Sequence, residues 1–296
     1  FLIALRAKGE RSAEIAGFAQ AMRDKMTKIE SVDDAIDMCG TGGDASGTFN
    51  ISTAASFVVA GAGVPVAKHG NRSMTSKSGS ADVLTALGVD ITLPPEKVSE
   101  CINTIGIGFM FAPSLHPAMK YAMSARKALG TRTVFNILGP LCNPAGVDRQ
   151  LMGIFEGSLT DKVAKVLQKL GSKHAMVVHG YEGLDEVSTT ASTKISHLKM
   201  DNTIESTAIS PSDFGFEKAT LDDLKGGEPE ENAVIIKNIL DGTDKGKKAD
   251  IVILNAAAGI LIGSKAENWE DGIQMAREAV NSRAALDKLN QLAAVK

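Results

Sequence analysis

Two stretches of this chain carry the residue types that hold phosphate. The first is Gly40-Thr41-Gly42-Gly43-Asp44, followed closely by Asn50-Ile51-Ser52-Thr53. A short apolar run, Ala35 to Met38, leads into it, and an apolar segment of helical length, Ala54 to Gly61, leads out. Glycines turn tightly and let N–H groups converge on an anion with no Cβ in the way. A helix start adds further N–H groups and a positive dipole end. The combination suits a phosphate or pyrophosphate; taken alone, it also describes an ordinary strand-to-helix turn.

The second stretch follows another short apolar run, Val64-Pro65-Val66-Ala67. It is Lys68-His69-Gly70-Asn71-Arg72, then Ser73-Met74-Thr75-Ser76-Lys77-Ser78-Gly79-Ser80, with a helix starting at Ala81-Asp82-Val83-Leu84. In open α/β sheets ligands sit beyond the carboxyl ends of strands. Two successive strand ends therefore carry anion-binding chemistry. Ser80 reads as the N-cap of the next helix, a role compatible with a phosphate contact.

The elements that must position these residues alternate. Strands are expected at Ala35–Met38, Val64–Ala67, Gly108–Ala112, Leu151–Phe155, His174–Val178 and Asp250–Leu254. Helices are expected at Ser12 to about Lys28, Ser52–Ala60, Ser80–Leu87, Pro95–Thr104, Leu159–Leu170, Glu231–Leu240 and Trp269–Leu292. This order predicts an α/β fold with a mostly parallel central sheet. Leu115 to Leu129 breaks the alternation with another helix, which is expected to pack with the N-terminal helix as a small helical domain. Ser188 to Lys199 is rich in Ser and Thr and reads as β-like.

Composition sets outer bounds. The chain has 296 residues and a formal net charge of −3, which gives no general nucleic-acid or membrane footprint. Cys39, Cys101 and Cys142 are scattered, with no CxxC pair, so they read as free thiols in a reducing compartment rather than zinc ligands or a disulfide framework. Cys39 borders the glycine loop, but buried thiol is the better reading than nucleophile. Phe1 to Leu5 is apolar but short, and charged residues follow at once, so no secretory signal is read there. A cytoplasmic enzyme is the expectation.

In order along the chain, the two stretches and Gly79 to Leu84 are joined by further motifs. These are Phe111-Ala112-Pro113, His116 to Lys120, Arg126-Lys127, Thr131 to Leu141, Asn143-Pro144, Gly183 to Ser188 and Asn255 to Gly259. Together they resemble the anthranilate phosphoribosyltransferase family over nearly the whole sequence. The resemblance implies a small helical domain (1–31 with 114–133) hinged to a larger α/β domain (32–113 with 134–296), with the active site in the cleft. It implies a homodimer paired through the helical domain, and additional N-terminal helices ahead of Ala4 to Glu10. Asn255 to Gly259 would be a last buried strand and turn.

The implied reaction moves phosphoribosyl from 5-phosphoribosyl 1-diphosphate to the amine of anthranilate, with Mg²⁺. By resemblance Gly40, Gly43, Asp44, Thr48, Asn50, Ile51, Ser52 and Thr53 contact the donor, as do Lys68, His69, Gly70, Asn71, Arg72, Ser73, Met74, Thr75, Ser76 and Ser80. Asp44 could accept a ribose hydroxyl, bind magnesium through water, or brace the loop. Asp185 and Glu186 are the implied metal ligands, with a hydroxyl from Ser52; alone, such a pair is usually a solvated one. Hard oxygens on a loop suit Mg²⁺. Arg126 is implied to bind the anthranilate carboxylate bidentately, with Gly40, His69, Asn71 and Pro140 lining the same pocket. No residue is assigned as general base. Met74-Thr75 and Cys142 depart from the family pattern, which commonly has a small residue with serine, and threonine. The competing readings are a nucleoside phosphorylase of the same fold and a nucleic-acid-binding relative without activity. Asn71-Arg72 and the acidic pair favour the transferase over the first, and the slight net acidity over the second.

Overall fold

The computed structural model describes residues 1–44, 46–73 and 77–296. Helices α1 (Leu2–Lys8) and α2 (Ser12–Arg23) lead into β1 (Ile36–Gly40), α3 (Ile51–Gly61), β2 (Val66–Gly70), α4 (Ser80–Ala86), α5 (Pro95–Glu100) and β3 (Ile107–Phe111). A helical excursion follows: α6 (Ala112–Leu115), α7 (Lys120–Leu129) and α8 (Phe135–Leu138). The chain returns through β4 (Arg149–Gly153), α9 (Thr160–Lys169), β5 (His174–Gly180), β6 (Thr193–Leu198) and β7 (Ile204–Ile209). It closes with α10 (Pro229–Leu240), α11 (Lys247–Ile262), α12 (Trp269–Asn281) and α13 (Ala284–Ala294).

The strands form one seven-stranded sheet in the order β3-β2-β1-β4-β5-β6-β7. The first five in that order are parallel and the last two antiparallel. β1 therefore sits between β2 and β4, where the winding reverses, and the carboxyl ends of strands at such a point are where open α/β sheets bind ligands. Strands β1 to β5 all end on that edge. One face is covered by α3, α11, α12 and α13, around Phe57, Val59, Leu254 and Ile260. On the other face Ile15 and Ala19 of α2 join Leu138, Val163 and Leu167. The helices approach closely where side chains are missing: a Cβ on Gly61 would lie 2.7 Å from the Ala285 nitrogen, and one on Gly259 would lie 2.7 Å from Val59 Cγ2.

Several expectations need correction. Asp250–Leu254 is not a strand, nor is Asn255–Gly259 a strand and turn; both lie inside the 16-residue α11. Every residue from Ile251 to Ile262 is buried, so the run has no polar face to reveal a helical period. Trp269–Leu292 is two helices, α12 and α13, broken at Ser282 and at Arg283, whose φ is 63°. Pro95–Thr104 changes into a π-turn at Cys101–Ile105 and stops at Gly106 with φ 88°. The helix expected over Leu115–Leu129 is interrupted at Pro117 and regular only from Lys120; none of the residues of α7 is buried. β7 went unread because it is an edge strand with Glu205, Ser206 and Thr207 exposed. Among the described residues no helix is long and apolar enough to cross a membrane.

Candidate active site

The loop after β1 needs its glycines. Gly42, Gly43 and Gly47 have φ of 63°, 74° and 67°, which L side chains rarely adopt. Gly40 and Gly153, at the ends of neighbouring β1 and β4, leave room for Asp185: a Cβ on Gly40 would lie 2.5 Å from Asp185 Oδ2, and one on Gly153 1.6 Å from the Asp185 carbonyl oxygen. The Gly42 N–H donates to Asp185 Oδ2 at 2.8 Å. Asp44 accepts from the Ser46 hydroxyl at 2.6 Å and the Ser46 N–H at 3.3 Å, which favours the bracing role for it. Ser46 Oγ lies 3.3 Å from Thr48 Oγ1, and Thr48 forms an isolated bridge with Lys225.

At the start of α3, the Ser52 N–H donates to Glu186 Oε1 at 3.2 Å, and Thr53 Oγ1 is buried without a hydrogen-bond partner. Ile51 is buried. Lys68, buried in the middle of β2, donates to the Met38 carbonyl at 2.7 Å and to Ser52 Oγ at 3.4 Å. Burial lowers its pKa, while Asp37, then Cys39 and Glu186, favour its charged form. Asp37 is fully buried, accepting from the His69 N–H at 3.1 Å and from Gln150 Nε2 at 3.3 Å. The same Gln150 amide donates to Cys39 Sγ at 3.1 Å and to the Pro140 carbonyl at 2.7 Å. Burial, then the charge of Asp37, raises the Cys39 pKa well above its usual value, which favours the neutral thiol.

The polar loop after β2 folds around Asp82. Its Oδ2 accepts from the N–H groups of Ser73 at 3.0 Å and Gly79 at 2.9 Å, and Oδ1 pairs with Arg72 at 2.8 Å. Gly79 is the N-cap of α4, and Ser80 is its first residue, correcting the expected cap; Ser80 Oγ donates instead to the Asn71 carbonyl at 3.2 Å. The reason is Asp82, whose carboxylate reaches back as a capping residue and takes the role expected of the serine. A Cβ on Gly70 would lie 2.2 Å from that Ser80 Oγ. Asn71 Oδ1 accepts the Arg72 N–H at 2.7 Å. Asn50 joins the two loops: its Nδ2 donates to the Ser78 carbonyl, and its Oδ1 accepts from Ser78 Oγ and from Asn232 Nδ2, each at 3.1 Å. Met74, Thr75 and Ser76, expected at the donor, lie outside the described residues.

Asp185 and Glu186 share one small space with Asp44. Burial, then the charge of Asp44, pushes the Asp185 carboxyl up to about 7. Burial, then Asp185, raises Glu186 well above the carboxylate range, with Lys68 opposing. Since the folded pKa of Asp185 exceeds the unfolded value near ~3.9, the fold binds more protons in that interval, and stability from this group rises as pH falls. Without divalent cation, Asp185→Asn is therefore expected to melt above the parent at pH 8, the gap closing towards pH 5. Comparing the two proteins cancels His69 and His197, which burial lowers to about 3 and about 4 and which act in the opposite sense. A gap independent of pH would refute this.

Arg126, on α7, lies half-buried with its guanidinium 5.3 Å from the centre of the Phe135 ring, and has no carboxylate partner among the described residues. His69 Nε2 meets His116 Nε2 at 3.1 Å. Phe135 and His116 both line a cavity of 280 Å³, with Met22, Met26, Met119 and Tyr121. Arg132 donates to the Gly43 carbonyl and stacks 4.1 Å from the centre of Phe155. The structure thus brings Gly40, Ser52, Lys68, Asp185 and Glu186 together, and Asn50 with the second loop. Among the described residues it shows no hydrogen bond or ion pair between Arg126 and either loop. Asp37, Gln150, Gly153 and Asn232 were missed; a lone acid inside an apolar run was the available signal for Asp37, and no local signal marked the others.

Glycine and polar loops, buried Lys68 and an acidic pair meeting at the winding reversal mark the chain as an enzyme of the class that handles phosphate esters with a divalent cation. Residues 32–286 match the glycosyl transferase family, a/b domain, and residues 1–26 its helical bundle domain. Anthranilate phosphoribosyltransferase of Methanocorpusculum labreanum is 53% identical over 294 residues, covering 99% of this chain and 86% of that protein. The crystal structure of the Thermus thermophilus enzyme of that name superposes with a TM-score of 0.94 at 42% identity, over 99% of this chain and 87% of that one. The Saccharomyces cerevisiae enzyme, in complex with PRPP and Mg, gives 0.91 at 32% identity, over 99% and 82%. The chain belongs to the anthranilate phosphoribosyltransferase family.

Proposed function

We propose that this chain transfers the phosphoribosyl group of 5-phosphoribosyl 1-diphosphate to the amine of anthranilate, giving N-(5-phosphoribosyl)anthranilate and pyrophosphate in tryptophan biosynthesis. One observation carries the reading: a glycine loop, a helix start and buried Lys68 meet a repelling carboxylate pair at a single strand edge. That arrangement suits a pyrophosphate and a divalent cation at once. The donor set fits Mg²⁺: Asp185 and Glu186 offer hard oxygens whose charges Lys68 offsets only in part. Asp185 and Glu186 would hold it, with the Ser52 hydroxyl beside them. When bound, Mg²⁺ supplies positive charge to the leaving pyrophosphate.

The chain's own residues do the rest. The C1–O bond breaks with its electron pair leaving on pyrophosphate, and the amine nitrogen bonds to C1 and loses a proton. Lys68 and the N–H groups of the two loops stabilise the growing negative charge. The Arg126 guanidinium holds the acceptor carboxylate, and Asn71, Pro140, Gly40 and His69 line its site. His69, pushed down to about 3 chiefly by burial, is neutral and a poor base. An aromatic amine is itself neutral near physiological pH, so attack needs no prior deprotonation.

The test is donor- and Mg²⁺-dependent loss of anthranilate fluorescence with stoichiometric release of pyrophosphate. No loss by folded protein would sink the reading. Arg126→Ala is expected to raise KM for anthranilate by about tenfold to ~150-fold, the equivalent of a charged hydrogen bond of about 1.5–3 kcal/mol, with kcat within a few-fold. A fall in kcat at unchanged KM would remove Arg126 from the acceptor site.

Residues 1–31 with 114–133 are proposed as the helical domain and the remainder as the α/β domain; separate family models for residues 1–26 and 32–286 support the boundary near residue 31. A homodimer through the helical domain is consistent with Phe1, Ile3, Tyr121 and Met123 lying exposed, and sedimentation would show it. A cytoplasmic location is consistent with three free cysteines.

A further inference from the structure

We propose that Asn255, on α11, sets the acidic loop in its metal-holding shape, a positioning role that rests on the reading of Asp185 and Glu186 as the Mg²⁺ site. Asn255 is completely buried. Its Oδ1 accepts the Val187 N–H at 2.9 Å, and its Nδ2 donates to the Val187 carbonyl and to the Ile251 carbonyl, each at 2.8 Å. Both amide hydrogens are thereby used, and the bond to Ile251, one turn back on the same helix, fixes which way round the amide lies. The side chain imitates a strand partner. Val187 lies in the irregular connection between β5 and β6, and both its backbone groups are met by this one residue.

The other side of the loop is held differently. Asp185 fits against the bare backbone of Gly40 and Gly153, and its carboxylate takes the Gly42 N–H. Glu186 thus stands between a residue anchored to β1 and β4 and a residue anchored to α11. In extended chain, adjacent side chains point to opposite sides. Here the two anchors leave Asp185 at the glycine loop and Glu186 at the Ser52 N–H, both on the side where α3 begins. Asn255 touches neither carboxylate and acts through Val187 alone.

Asn255→Asp has the same shape and still accepts the Val187 N–H, but ionised it turns an oxygen toward two carbonyls, and protonated it donates to only one of them. At least one of the bonds to Val187 and Ile251 is lost. The experiment is calorimetric titration of 5-phosphoribosyl 1-diphosphate at a series of Mg²⁺ concentrations. It is run on the parent and the variant with melting curves, and with hydrogen exchange of the peptide covering 181–192. The Mg²⁺ needed for half-maximal donor binding is expected to rise about tenfold or more, in the range typical of residues that orient metal ligands. Exchange in 181–192 should quicken, and KM for anthranilate should stay within about twofold of the parent. If Asn255→Asp does not fold, Asn255→Ser, which loses the second donor but adds no charge, is read by the same criteria. A folded variant with unchanged Mg²⁺ dependence overturns the role of Asn255. A parent that binds no donor in the presence of Mg²⁺ overturns the functional reading itself, and this inference with it.

Discussion

Lys68→Met is expected to lower kcat/KM by about 10²–10³-fold, the usual consequence of removing one preorganised group from developing negative charge. The ammonium is placed for this: it is buried, held by the Met38 carbonyl, and 3.4 Å from the Ser52 hydroxyl at the start of α3. Burial makes its charge costly, and the nearby carboxylates Asp37 and Glu186 oppose that cost without contacting it as ion pairs. A pyrophosphate would complete what they begin. Methionine fills similar volume, so packing survives, but Asp37 and the Met38 carbonyl lose their positive neighbour. A stability loss of about 1–3 kcal/mol is expected from the unsatisfied groups. Initial rates over donor concentration, beside a denaturant melt, separate the two effects. A variant with parental kcat/KM would show that the buried charge serves only the fold.

Gly153→Ala is expected to cut turnover by about 10²-fold, though it adds only a methyl group. The new Cβ would fall 1.6 Å from the Asp185 carbonyl oxygen, and its neighbours are backbone atoms rather than a side chain that could swing away. The acidic loop must therefore move by more than an ångström. Displacements of that size cost about 10²-fold where reacting groups are held in register. The overpacking cost to the fold is about 1–3 kcal/mol. Gly153→Ala should share with Asn255→Asp a raised Mg²⁺ requirement, since both shift the same loop from opposite ends. Unaltered Mg²⁺ dependence in the folded variant would mean that the loop tolerates the shift.

The parts of the fold that were legible are those where turn chemistry and apolar runs agree. β1, β2, β4 and β5 each couple a short apolar run to glycine or a polar loop, and all appear within a few residues of expectation. α11 was misread because burial all round erases the polar face that distinguishes helix from strand, and β7 was passed over because an exposed edge carries polar residues. The same contrast runs through the site. Gly40, Ser52, Lys68, Asp185 and Glu186 sit in short motifs whose residue types declare a chemistry. Asn232, Gln150 and Asn255 act by single amide side chains from distant elements, and no local pattern marks which loop such an amide will reach. Ser80 shows the limit within a motif: two residues could cap α4, and only the packed loop reveals that Asp82 does so.

The place of β1 in the sheet also bears on how the chain can assemble during synthesis. β1 pairs with β4 along its whole length, yet more than a hundred residues separate them, including the helical excursion. Until β4 has left the ribosome, the emerging half carries a three-stranded β3-β2-β1 sheet with one long side of β1 unpaired. Parallel pairings of such separation form slowly, and a bare strand edge is an invitation to other chains. Because Gly153 ends the strand that arrives late, the nascent protein holds its phosphate loops well before it holds the surface on which the acidic loop rests. Chaperone dependence during synthesis should therefore fall in two steps, first once β5 (to residue 180) is outside the exit tunnel and pairs the edge of β4, and again once α11 to α13 emerge to cover the open face of the sheet.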